Sequence, residues 1–248
     1  MSEPAAAGPA AAGTAAAAPA GAGAHRSVGR RWLAAALLVL VLVAAGIAVA
    51  VALSGPGAPT LAELGQRRAH LAFVAEGLLT ADASVRRELH TARAAWPSIA
   101  HGLPAQPSHA LIARAAAAAA AVEAVPSPPF VALLDELVGP AAGIAQLFRT
   151  SQLLARAAWQ HVSAALLATA HRSTSAAFDR ANAGVYIESV YQSVFDLSAI
   201  GKSLESNYIK LGGPQVFGAR LTAARVKSIA ATYSAAAPLE PHTVLPTP

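Results

Sequence analysis

Histidines and carboxylates are the side chains here that could hold a metal or move a proton, and their spacing decides whether they do. The eight histidines are His25, His70, His90, His101, His109, His161, His171 and His242, and they form no H-x-x-x-H, H-E-x-x-H or E-x-x-H pair. A helix-borne metal site needs ligands three or four residues apart, so that they share a face. Glu88 and His90 stand two apart and diverge; Glu63 and His70 share a face but lie two turns apart with Arg67 between them. These histidines read as ordinary surface and loop side chains. Among the sparse carboxylates only Asp135 and Glu136 are adjacent, on opposite slopes of a short helix, so nothing motivates a glycosidase-like pair.

Nucleophile patterns are equally thin. The chain has no cysteine, which removes thiol catalysis, thiolate zinc sites, disulfides and a lipid anchor on a lipobox cysteine. Neither G-x-S-x-G nor S-x-x-K occurs. His171, Ser173 and Asp179 are close in sequence, but they fall in a polar turn region. Gly212-Gly213-Pro214 is a helix stop rather than a phosphate-binding loop. The sequence therefore assigns no catalytic residue, no metal ligand and no cofactor, and the expectation is a protein that is not an enzyme.

One asymmetry concerns aromatics. Of the ten Phe and Tyr residues, seven lie between Phe178 and Tyr233. Rings with polar tips can line a ligand pocket or a partner surface, although filling a core among alanines is their more frequent use. Tyr186, Tyr191, Tyr208 and Phe217 are the candidates for such a surface. Phe217, between Gly213-Pro214 and Gly218, is expected nearest to solvent.

The elements that must position these residues are helices, because no segment shows a period-two pattern with turn chemistry. The fold expected is all-α: a disordered tail, one transmembrane helix, then an extracytoplasmic helical bundle. Residues 1–31 are dominated by Ala, Pro and Gly, a composition that cannot build a packed face and that fits a GC-rich bacterial genome. Residues 32–53, Trp32 to Leu53, carry no charged side chain, and a run of about 20 apolar residues suffices to cross a bilayer. Arg26, Arg30 and Arg31 precede Trp32, and no basic residue follows until Arg67. That bias expects a cytoplasmic N-terminus and a single-pass location in the cell membrane, with Trp32 at the interface. Two rivals, a cleaved secretory signal and a loose twin-arginine signal at Arg30-Arg31, would still carry the later domain outward.

Residues 54–59 (SGPGAP) form a hinge, and residues 60–236 the helical domain. Thr60-Leu61-Ala62-Glu63 is a capping box. The helix that it starts has no proline before Trp96 and would be about 54 Å long if unbroken. Leu64, Leu71, Leu78, Val85 and Ala92 make a seven-residue row on it. A second row (Leu61, Arg68, Ala75, Asp82, Leu89, Trp96) is interrupted by Arg68 and Asp82, so a break across Gly77–Ser84 is an open alternative. Ser108 caps an alanine-rich helix reaching about Val125, and a short helix over Phe130–Val138 follows Pro129. A long helix runs from Pro140 to His171, with Ile144, Leu147, Phe148, Leu154, Ala158, Val162 and Leu166 on one face. Residues 172–184 read as a turn region with Ser173 or Ser175 as a cap. Two more helices end at Gly212-Gly213-Pro214 and span about Thr222–Ala236. Residues 237–248, with four prolines, read as a second disordered tail.

The net charge of +5 divides into +2 over residues 1–31 and +3 over residues 54–248. The bases beyond the span are scattered among acids, without a basic run bearing stacking aromatics, so nucleic acid is not an expected partner. Expected partners are the lipid bilayer and a protein partner or second copy met through helical surfaces. The function expected is a membrane-anchored structural or interaction component of a bacterial cell envelope. The alternative is an extracytoplasmic ligand-sensing or solute-binding bundle.

Overall fold

The computed structural model describes residues 59–234 together with Leu239. Among the described residues there are helices and turns but no strand, so the fold is all-α. The main helices are α1 (Leu61–Ala95), α2 (His109–Glu123), α3 (Pro140–Ala170), α4 (Ala176–Lys210), the single turn α5 (Pro214–Phe217) and α6 (Ala223–Ser234).

The single-pass membrane location is corrected at this point: among the described residues, no helix is long and apolar enough to cross a membrane. The stretch that carried that expectation, residues 32–53, lies outside the described residues, as do Arg26, Arg30, Arg31 and Trp32. The signal-anchor and cell-envelope readings rested on that stretch and find no support among the described residues.

Local signals set most helix starts. The Thr60 hydroxyl accepts from the Glu63 amide at 3.2 Å while the Thr60 amide donates to Glu63 Oε2 at 2.8 Å, which completes the capping box. Ser108 Oγ accepts from the Leu111 amide at 3.2 Å and starts α2. Pro140 opens α3 after Gly139, whose φ of 62° favours glycine.

The helix α1 runs for 35 residues without a break at Gly77–Ser84. Arg68 and Asp82 do not interrupt it because each finds a partner. Arg68 Nε donates to the Leu211 carbonyl at 2.9 Å, while Asp82 Oδ2 binds Arg86 Nη2 one turn ahead at 2.8 Å.

Two boundaries differ from the sequence reading. In place of one helix over Phe130–Val138 there are two 3-10 turns, Pro129–Val131 and Leu134–Glu136. Leu133, at φ −112° and ψ 22°, leaves helical space between them. The shape of this segment follows the burial of Phe130 and Leu137 rather than a continuous helical ladder. The turn region expected over 172–184 shrinks to the few residues before Ala176. Ala176, Ala177 and Asp179 in the first turn favour helix, and Asn182 donates to the Phe178 carbonyl at 2.8 Å rather than ending it. The Ser173 hydroxyl accepts from the Ser175 amide at 3.2 Å just ahead of this start.

α3 and α4 form the most extensive helix pair, α1 pairs with α2, and α6 packs against both α4 and α1. The predicted row on α1 is the core row: Leu71, Leu78, Val85 and Ala92 are buried inside the chain. Phe130 meets Phe148 edge-on with centroids 5.5 Å apart, and Phe148 meets Tyr233 at 6.5 Å. Leu239 also joins this core. Gly77 makes room for Phe130, because a Cβ there would lie 2.5 Å from the ring. Gly201 lets α6 approach α4, because a Cβ there would stand 2.9 Å from the Ala230 carbonyl oxygen.

Candidate functional site

The aromatic set divides among three places rather than converging. Tyr186 on α4 stacks on His161 of α3, with centroids 4.4 Å apart and planes within 9°. Tyr191 tilts against Trp96 at 6.4 Å. Tyr208 and Phe217 meet at 5.1 Å. Phe217 is buried, which corrects its expected place near solvent; the exposed members of the wider set are Phe178 and Phe195. Physically, Gly212 and Gly213, both with positive φ, fold the chain back after α4, so that α5 lays the Phe217 ring on Tyr208. The Tyr208 hydroxyl is buried there without a hydrogen-bond partner.

A polar layer that sequence reasoning missed crosses the core between α1, α3 and α6. Glu88 on α1 is 2 % exposed, and its Oε2 accepts from Gln152 Nε2 of α3 at 2.9 Å. Burial pushes the Glu88 carboxyl up to about 7, against the lowering effect of the Gln152 hydrogen bond. Tyr233 of α6 donates to the Leu78 carbonyl at 3.2 Å. Burial, with the negative charges of Asp82 and Glu88 behind it, holds the Tyr233 phenol far above its ordinary range. Two oxygens of this layer, Asp82 Oδ1 and Gln152 Oε1, are buried without a partner. One sequence signal could have found Glu88: it stands three residues after Val85 and four before Ala92, on the buried stripe. Glu88 and Tyr233 are buried in this layer, whereas Asp82 and Gln152 are half-buried at its edge.

His70 does not face solvent freely; its Nδ1 accepts from the Val138 amide at 3.2 Å and fixes the loop before α3. Among the described residues no three His, Asp or Glu side chains are grouped to hold a metal ion.

Two surface clefts carry arginines. The first, about 260 Å³, lies between Gly65, Arg68, Ala69 and Ala72 of α1 and Val216 and Phe217 of α5, with Arg220 at its rim. The second, about 250 Å³, lies between Arg86, Leu89, His90 and Arg93 of α1 and Ala231 and Thr232 of α6. Tyr186, Tyr191 and Tyr208 line neither of them. What such clefts can do chemically is bind: guanidinium groups offer paired donors to an oxyanion, and the apolar walls accept a hydrocarbon end.

No family model, no curated protein and no solved structure matches this chain.

Proposed function

We propose that this chain is a helical interaction protein that acts by binding a protein partner or a second copy through the α3–α4 hairpin. The observation that supports this reading is the exposure of large apolar side chains there: Phe178 is 70 % and Leu153 55 % exposed, with Phe195, Leu167 and Val185 also open to solvent. The apolar row of α1, by contrast, is consumed inside the bundle. Ile209 at the far end of α4 is exposed as well, and six such side chains on two paired helices exceed the isolated ones normal on any surface. Site-specific photo-crosslinking in the full chain tests the reading, with probes at Phe178, Leu153 and Leu167 and control probes at the exposed Glu76 of α1 and Lys227 of α6. Adducts concentrated at the apolar positions support it. Equal yields at both sets, or none at the apolar positions, overturn it.

A second reading, binding of a small solute, is favoured by the two arginine-bearing clefts. They are small for a drug-sized ligand, for which pockets run from about 300 Å³ upward.

A further inference from the structure

We propose that the cleft between α1 and α5 binds a small solute that carries an oxyanion, with Arg68 and Arg220 meeting the charge and Phe217 the apolar end. This rests on the solute-binding reading and names the chemical class of the solute.

The argument starts from charge. Two guanidinium groups line this cleft and no Asp or Glu does. Arg68 is anchored through Nε, which donates to the Leu211 carbonyl just past the C-terminal end of α4. A helix C-terminus favours a cation, so the fold itself holds Arg68 in place. Its terminal nitrogens have no other described hydrogen bond. They sit over the backbone of Gly212, where a Cβ would stand 3.7 Å from Nη2. Arg220 is exposed and, among the described residues, makes neither an ion pair nor a side-chain hydrogen bond. Two like charges facing one hollow without a carboxylate repel each other, and an entering anion relieves that repulsion. The second cleft differs here, because Arg86 already holds Asp82 at 2.8 Å.

Shape adds the rest. Gly65, Ala69 and Ala72 leave a shallow floor, and nothing lies within 4 Å of a Cβ built on Gly65. Phe217 and Val216 supply an apolar wall. A hollow of about 260 Å³ fits one ring or a short chain with a carboxylate or phosphate, not a nucleotide.

The test uses the full 248-residue chain and ligand-observed fluorine NMR, with 4-fluorobenzoate, 4-fluorobenzylamine and 4-fluorobenzyl alcohol as probes of one shape and three charges. Two variants bracket the site: Arg220→Ala removes one cation, and Gly65→Leu fills the floor without a clash at its Cβ. Thermal melting establishes that both fold. The expected result is fluorobenzoate binding weakened about tenfold by Arg220→Ala and abolished by Gly65→Leu, with no binding of the amine. Equal binding of the alcohol or amine at the same cleft overturns the anion assignment and leaves the solute-binding reading intact. Fluorobenzoate binding that survives Gly65→Leu places the site elsewhere and overturns the proposal. No binding of any probe overturns both.

Discussion

Glu88 of α1 and Gln152 of α3 face each other across the core, 64 residues apart in sequence, with Gln152 Nε2 donating to Glu88 Oε2 at 2.9 Å. The contact is one-sided. Gln152 Oε1 has no partner, and the buried carboxyl has traded hydration for a single amide donor. A proton on Glu88 changes that, because a neutral carboxyl can donate to an amide oxygen and no longer carries a charge into the interior.

Stability should therefore fall as pH rises through the slightly acid range. Glu88 titrates near 4.5 when unfolded and about 7 when folded, so the folded state holds the extra proton between those values. The group's contribution is fully present below pH 4.5, declines through the interval and is gone above pH 7. At about 1.4 kcal/mol per pKa unit the whole effect is about 3 kcal/mol. Asp196 is shifted upward by burial in the same direction, so the informative quantity is a difference between proteins. Urea unfolding at pH 5 and pH 8 should show a smaller loss of stability in Glu88→Gln than in the parent. It should also show the variant more stable at pH 8. Equal pH slopes in the two proteins would sink this assignment.

Glycine positions separate by what surrounds them. A Cβ at Gly201 would stand 2.9 Å from the Ala230 carbonyl oxygen and 3.0 Å from the Ser234 amide nitrogen, backbone atoms that move only with α6. At Gly77 it would strike the buried Phe130 ring at 2.5 Å. Gly201→Ala and Gly77→Ala should each lose about 1–3 kcal/mol through overpacking. Gly65→Ala should gain up to about 1 kcal/mol, since nothing lies within 4 Å and alanine favours a helix interior. Thermal unfolding of the three variants orders them, and a stable Gly201→Ala would show that the α4–α6 contact is looser than described.

What the sequence made legible and what it hid differ by range. The Thr60–Glu63 box, the Ser108 cap and the Gly212-Gly213-Pro214 stop depend on atoms within a few residues of one another, so residue types alone place them. The apolar row of α1 was legible for the same reason: its period is a property of one helix. The Glu88–Gln152 contact needs α1 and α3 to be paired in register, and no local pattern supplies that. Phe217 shows the limit clearly. Its flanking glycines announce a turn but not the side to which the turn folds, and Tyr208 decides it. The first arginine cleft was hidden likewise, since Arg68 and Arg220 come from the two ends of the helical domain.

Arg68 should prove structural as well as exposed to any ligand. Its Nε ties α1 to the Leu211 carbonyl beyond the end of α4, and its charge stands at the negative end of that helix. Arg68→Ala should cost about 1–2 kcal/mol, and Arg68→Lys should recover part of it, because an ammonium keeps the charge but not the fixed donor geometry. Denaturant midpoints at low and high salt distinguish the two contributions: the loss for Arg68→Ala should shrink with salt but not vanish.

Two buried phenols make opposite predictions from similar surroundings. Tyr233 donates its hydroxyl to the Leu78 carbonyl at 3.2 Å, so Tyr233→Phe leaves a buried acceptor with one partner fewer and should lose about 1 kcal/mol. The Tyr208 hydroxyl is buried with no partner, so Tyr208→Phe removes an unpaired polar atom and keeps the ring against Phe217. That variant should be neutral or more stable by up to about 1 kcal/mol. Measuring both by the same urea titration cancels the common cost of changing a buried tyrosine. If Tyr208→Phe lost as much as Tyr233→Phe, a solvent molecule or ligand atom would have to be satisfying that hydroxyl, and the packing behind the first arginine cleft would need to be redrawn around it.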